Sequence, residues 1–296
     1  MITSPTRNGA ESVRLERRPL GKTDLAVTPL ALADLSFRDD GLPRQLIRPG
    51  DVERAFHELG INTFFVTWQM KGLSEGVRRL VRAGHRDQMV IISAGPFLPF
   101  GFMVQRAWEK NARALEIDHI DVWLMAWVRG RWYLTGRTWP AIRRLKEQGQ
   151  VRGIGFSCHD RPLAVSLAQE FSVDTLMIRY NAVHRGAERE IFPAFGQDRP
   201  AIISYTATRW RMLLKPLPAQ GFLQAMTGPE CYRFVLSNPS VDVALCAGAN
   251  IEELRDNVAG VLKGPLDQQR MDEVRRFGDA VHANARYGAR WMFRQG

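Results

Sequence analysis

The side chains best suited to chemistry in this chain are concentrated in a few short segments. Trp127, Arg129, Arg131 and Trp132 stand almost side by side, a mixture that suits a flat or anionic ligand. Indole faces stack on rings and attract cations, while a guanidinium offers paired donors to a carboxylate or phosphate. The other reading makes both tryptophans packing residues. His159, followed by Asp160, ends an apolar run and carries the side chain whose proton exchange lies closest to neutral pH. A lone histidine also serves as a hydrogen-bonding structural residue, so both readings stay open. Asp34, Trp68, Arg179 and Tyr180 stand at comparable places. Metal chemistry is not expected. His119, His184 and His282 lie on separate segments without paired carboxylates, and Cys158, Cys231 and Cys246 form no Cys-x-x-Cys pair.

The elements that must position these groups follow from hydrophobic pattern. Short apolar runs without strict alternation, at 29–35, 61–67, 89–95, 120–128, 151–157, 174–180, 201–208 and 241–248, suit parallel strands buried on both faces. Between them apolar residues recur at helical spacing. Val104, Ala107, Trp108 and Leu115 share one face, as do Ile251, Leu254, Val258, Val261 and Leu262. Gly60, Gly84 and Gly196 stand where a left-handed helix cap fits. No Gly-rich GxGxxG turn follows any strand, which argues against an open dinucleotide-binding sheet. The fold expected is α/β: one (β/α)8 TIM barrel over residues 17–296, with residues 1–16 as a mobile tail. A Gly-Lys-Thr-Asp turn at 21–24 predicts an N-terminal β-hairpin. The stretch 267–286 predicts an extra C-terminal helix packed across the barrel.

Composition bounds the rest. With 45% hydrophobic residues the chain can bury a large core, which excludes a disordered protein. No apolar run reaches the roughly 18–20 residues of a membrane span, and residues 1–18 lack a signal-peptide core, so a cytoplasmic protein is expected. The net charge of +10 comes from arginines scattered over helices such as 74–84, not from a basic tract. That predicts a solvated basic surface and no nucleic-acid partner, with a phosphate-bearing ligand as a local use of the charge. A small-molecule ligand is expected, and homo- or hetero-oligomerisation stays open.

Several stretches, in order and spacing, resemble the aldo-keto reductases: RRPLGKTDLAVTPLAL, GINTFFVTWQMKG, LEIDHIDVWLMAW, LKEQGQVRGIGFSCHD, IRYNAVHRGAEREIFPAF, IISYTATRW and LCAGANIEELRDNVAGV. The resemblance runs from about residue 17 to 285 and implies carbonyl reduction with NADPH, through an Asp, a Tyr proton donor, a Lys and a His. At those places this chain has Val66, Lys71, Gly95 and Ala126. Hydride delivery leaves an alkoxide that must be protonated, and a tuned acid supplies roughly 10²–10⁴-fold of rate. Of the four, only Lys71 could donate, and only with its ammonium buried near the carbonyl.

The cofactor side of the resemblance is better kept. It implies that Ser157 bonds the nicotinamide carboxamide and that Tyr205 stacks under the ring. Thr206, Thr208 and Arg209 fall in the loop that meets the pyrophosphate, and Gly248, Asn250, Glu253 and Asn257 hold the adenosine end. Cys158 stands where an Asn is usual, and Met177 where a Gln is usual. No Arg or Lys for a 2′-phosphate is found, since Ala249 and Asn250 occupy that stretch, so the cofactor implied is NADP or NAD. Two functions follow: a noncanonical oxidoreductase whose proton handling has moved to a group such as His159 or Lys71, or an inactive pseudoenzyme barrel that binds a ligand or protein. Asp34, Trp68, Trp127, Arg129 and Trp132 are the expected substrate pocket.

Overall fold

The computed structural model describes residues 13–34, 36–37, 43–44, 47–96, 100–196 and 198–284. Eight parallel strands close into a barrel, and each comes from one of the eight apolar runs. They are β1 (Leu30–Ala33), β2 (Thr63–Phe65), β3 (Val90–Gly95), β4 (Ile120–Val128), β5 (Val151–Cys158), β6 (Thr175–Arg179), β7 (Ala201–Tyr205) and β8 (Val243–Cys246). β8 pairs with β1 through Cys246 opposite Leu32, which closes the ring. The N-terminal hairpin pairs Arg18–Pro19 with Ala26–Val27, and a second small antiparallel pair joins Ser36–Phe37 to Pro43–Arg44.

Helices follow the strands in turn: α1 (Pro49–Leu59), α2 (Lys71–Arg82), α3 (Gly101–Leu115), α4 (Thr138–Glu147), α5 (Arg161–Phe171), the short α6 (Ala187–Glu190), α7 (Gly228–Leu236) and α8 (Ile251–Leu262). Their boundaries have local causes. Pro49 opens α1 at a position that needs no N–H, and Gly60 closes it at φ 70°. Thr227 and Glu230 form a reciprocal capping box at the start of α7. Two details differ from expectation. Gly196 does not take the left-handed conformation, because the chain before it ends in a single 3-10 turn, Phe192–Ala194, with no long helix to cap. Leu262 is 47% exposed at the end of α8 and lies off its buried face.

The last helix, α9 (Gln268–Asn284), packs on loops that follow β6 and β7. Arg185 donates to the Arg275 carbonyl and pairs with Asp279, and Phe222 meets Phe277 edge-on. Within the expected tail, residues 1–12 lie outside the described residues, but Leu15 is buried and its N–H donates to the Leu59 carbonyl.

The N-terminal floor of the barrel carries a repeated device. Asn62, Asp121, Asp174 and Asp242 stand at the starts of β2, β4, β6 and β8. Their side chains accept the N–H of Thr28, Ile91, Ile154 and Ile202, at 2.8, 2.7, 2.8 and 2.6 Å. Each even strand is thus stapled to the odd strand before it. The three carboxylates are also held by cations: Arg86 on Asp121, Lys146 on Asp174 and Arg199 on Asp242. Asp121 and Asp242 are buried and Asp174 is partly so; a buried carboxylate is costly unless paired and hydrogen-bonded, and these are both.

Candidate functional site at the barrel mouth

Strand register builds the mouth. Val128 of β4 stands opposite Cys158 of β5, Cys158 opposite Ile178 of β6, and Arg179 opposite Tyr205 of β7. Four side chains at or just beyond these pairs therefore form a row over β4–β7: Arg129, His159, Arg179 and Tyr205. The His159 and Tyr205 rings meet edge-on at 5.7 Å. Behind them stand Arg161 on the first turn of α5, His184 after β6 and Arg209 after β7; Arg179, Arg209, His282 and Arg161 all lie close enough to act on His184 electrostatically.

This region is positive and largely dry. Arg179 and Arg209 are each 8% exposed. Desolvation lowers the Arg179 guanidinium from its ordinary value, and desolvation with the Arg179 charge lowers Arg209 to about 10. Nearby carboxylates are already engaged: Glu190 holds Arg161 at 2.9 Å, and Glu188 accepts from the Tyr180 hydroxyl and Arg275. Burial, then Arg179 and Arg129, push His159 down to about 4. At pH 7 it is held as a neutral imidazole, which can accept a proton but is not charged as an acid. Burial raises the Tyr205 phenol, and its buried hydroxyl has no hydrogen-bond partner. The Cys158 thiol, raised to about 12 by burial and donating to the Asp160 carbonyl, is inert.

The loop after β7 carries backbone strain. Thr206, Arg209, Trp210 and Arg211 all have φ between 50° and 65°, a region costly for residues with a side chain. Buried Asn181 holds this loop by donating to the Thr206 carbonyl at 2.8 Å, and the Thr208 hydroxyl accepts from the Arg211 N–H. Thr206 and Thr208 thus shape the loop that carries Arg209. Trp127 is a further positive-φ residue, at 53°, in a bulge where the β4–β5 register shifts. The Ser157 hydroxyl accepts the Trp127 N–H at 2.8 Å and keeps its own proton to donate.

Other expected site residues are placed differently. Trp127 and Trp132 are 56% and 59% exposed, so both rings present a large face to solvent. Trp132 leans on Tyr133, with ring centroids 4.2 Å apart. Arg131 turns away to pair with Glu170 of α5, leaving Arg129 as the arginine beside His159. Trp68 is covered by the Lys110 ammonium of α3, 3.3 Å from the ring centroid, and its N–H donates to Asn111. Lys71, the first residue of α2, is exposed, so the enclosed ammonium that a proton donor required is not there. Asp34 is buried against the start of α2, where its carboxylate meets the Ile47 N–H. Tyr180 packs between Phe192 and Phe234 of α7, outside the row, and Asp160 caps α5.

At the positions of the expected tetrad the structure adds one physical fact. A Cβ on Gly95 would lie 2.7 Å from Cζ2 of Trp123, a β4 side chain that is 1% exposed. The place where a lysine was looked for is filled by an indole from the neighbouring strand. Val66 is fully buried at the end of β2, and Ala126 lies in the β4 bulge.

The sequence model of the Aldo/keto reductase family matches residues 79–213, a stretch that spans β3 through the loop after β7. The chain is aldo-keto-reductase-like. Among solved structures it is similar to an aldo-keto reductase from Bacillus halodurans in its holo form, at 17% identity and TM-score 0.70, covering 89% of this chain and 96% of that one. A Pseudomonas aeruginosa protein described as an aldo-keto reductase matches at 24% identity and TM-score 0.66, covering 85% and 98%. A thermostable aldo-keto reductase bound to the inhibitor epalrestat matches at 19% identity and TM-score 0.69, covering 88% and 99%. In this aldo-keto-reductase-like barrel no described helix is long and apolar enough to cross a membrane, and no three described His, Cys, Asp or Glu side chains cluster as metal ligands.

At the far end of the expected cofactor cleft the start of α8 is capped by its own side chains. Asn250 caps α8 by accepting the Glu253 N–H at 2.9 Å, and the Glu253 carboxylate reaches back to the Ala249 N–H at 3.1 Å. Asn257 is buried and donates to Cys246, and Gly248 packs on Leu254. A phosphate brought to this helix start meets a carboxylate where a bare N-terminus would attract it.

Proposed function

We propose that this barrel binds a nicotinamide dinucleotide at the ends of β5–β8, NAD in preference to NADP, and does not reduce carbonyls by the family's ordinary proton relay. The observation that carries the reading is the pair of buried arginines, Arg179 and Arg209, beside Ser157 and Tyr205 at the strand ends. Such a cofactor supplies hydride when bound. Of the chain's own groups, Ser157 can donate to a carboxamide oxygen, Tyr205 offers the edge and face of its ring, and Arg209 meets negative charge. The Glu253 carboxylate at the start of α8 opposes a 2′-phosphate, which is the basis of the NAD preference. Exposed Trp127 and Trp132 with Arg129 suit a flat, anionic substrate.

A second reading is favoured by Gly95 and Trp123. A barrel whose lysine position is packed with indole has given up proton transfer there, and serves as a binding protein without turnover.

Titration with NADH and NADPH tests both readings, with quenching of the eight tryptophans as signal. Saturable quenching, tighter for NADH, is expected, with negligible oxidation of bound NADH by simple aldehydes. No saturation at millimolar dinucleotide removes the cofactor reading and leaves the binding protein. Brisk turnover removes the second reading.

A further inference from the structure

We propose that Arg179, Tyr205 and His159 form a seat for a single oxyanion, a carboxylate or phosphate group of a small ligand, at the ends of β5, β6 and β7. The proposal does not require the dinucleotide reading, since it concerns a group held by Arg179 whatever molecule carries it.

Two separate observations point to a missing anion. Arg179 is more than nine-tenths buried and no described carboxylate pairs with it; the charges that act on it are the phenol of Tyr205 and the like charge of Arg161. A guanidinium removed from water without a counter-charge is costly, and chains keep one where a ligand completes it. Independently, the Tyr205 hydroxyl opposite Arg179 in the register is buried with no partner, a donor left unused. An orphaned hydroxyl carries the desolvation penalty of a broken bond and no compensating gain. One oxyanion between the two groups answers both deficits: the guanidinium presents parallel N–H donors, and the phenol adds a third.

His159 completes the seat from β5. Its ring is held neutral by burial and by Arg179 and Arg129, so one ring nitrogen donates and the other accepts. An anion arriving beside it removes part of that positive field and favours protonation, which turns the imidazole into a further donor. Arg129, at the open end of the row, supplies long-range attraction and no buried contact. The ligand class is therefore a small carboxylate or phosphate compound with at least one full negative charge. Neutral aldehydes, ketones and amides leave Arg179 uncompensated.

The experiment uses the full chain in a buffer free of phosphate and carboxylate, at constant ionic strength set with NaCl. Thermal unfolding is followed against inorganic phosphate and, separately, benzoate; Arg179→Met and Tyr205→Phe are measured alongside. A saturable rise in Tm beyond the chloride control is expected for the unmodified chain with at least one of the two probes. Arg179→Met should weaken that response at least tenfold in midpoint concentration and melt at the same or a higher temperature without anion. Tyr205→Phe should melt at the same or a higher temperature without anion and bind the anion several-fold more weakly. Equal responses to the probes and to NaCl overturn the seat, as does an undiminished response in Arg179→Met. Loss of folding in Arg179→Met also overturns it, because the guanidinium then has a partner within the protein.

Adding NADH separates the sources of the anion. Mutual exclusion of phosphate and NADH places a dinucleotide phosphate on Arg179. Simultaneous binding places a substrate carboxylate or phosphate there. Anion binding without any NADH binding keeps the seat and removes the cofactor reading, whereas NADH binding that ignores both probes and the Arg179 substitution does the reverse.

Discussion

Adding one methyl group at Gly95 should cost this barrel more than most surface substitutions, and the cost should depend on Trp123. The Cβ of Gly95→Ala would lie 2.7 Å from Cζ2 of Trp123, with two further ring atoms at 3.5 and 3.6 Å. Carbon atoms prefer roughly 3.5–4.0 Å, so the indole must move by close to an ångström. It has little room, being 1% exposed on β4 and paired in register with Ser93 of β3. Overpacking of this kind costs about 1–3 kcal/mol. Unfolding entropy per residue, taken over the whole chain, turns that into a fall of roughly 2–5 °C in Tm. Trp123→Leu alone should cost about 3 kcal/mol through the cavity it leaves. The double variant should cost about 1–2 kcal/mol less than the sum, since the smaller side chain makes room for the new methyl. Urea unfolding of the four proteins, with m-values checked for two-state behaviour, reads the cycle directly. Additive effects, or a harmless Gly95→Ala, would refute the reasoning. The same geometry forbids regaining a lysine at this position by a single substitution.

Two further outcomes are expected. Asp121→Asn should cost about 3 kcal/mol in urea unfolding, because Arg86 and Arg152 lose their buried counter-charge while the Ile91 N–H keeps an acceptor; a change under about 1 kcal/mol would show that the ion pairs at Asp121 contribute little. Stability should also fall on acidification. His159 is held neutral in the fold at about 4 against an ordinary 6.5, so the unfolded chain takes up its proton first. The folded state keeps its full margin above pH ~6.5 and loses about 3 kcal/mol by pH ~4. His184, buried among Arg179, Arg209, His282 and Arg161, acts in the same direction. Tm against pH for the unmodified chain and His159→Gln tests this, and identical slopes for the two would sink the assignment.

How much of this was legible in the sequence varies with the range of the interactions. The eight strands were visible because each is a short continuous apolar run, which is what burial on both faces demands. The hairpin was visible in its Gly-Lys-Thr-Asp turn. The floor staples were not, since Asp121 and Ile91 are 30 residues apart and meet only through strand pairing. The same holds for Trp123 against Gly95: one is an unremarkable apolar residue and the other an unremarkable glycine until the β3–β4 register is known. Arg179 and His159 could each be read as strand-end residues. Their standing in one row with Tyr205 required the registers of β5, β6 and β7. The neutral state of His159 was hidden for a related reason, because the arginines that depress it come from other strands and its burial has no local signal.

The pairwise staples along the floor bear on how freely the opposite end can be rewritten. Because the strands are tied at their starts, residues at their tips are released from the task of holding the ring together. A library confined to the segments after Val66, Gly95, Val128, Cys158, Arg179 and Tyr205 would leave the anchoring bonds of Asn62, Asp121, Asp174 and Asp242 in place. Such a chain is a chassis: reaction chemistry can be lost from it, or fitted to it, with the frame still standing.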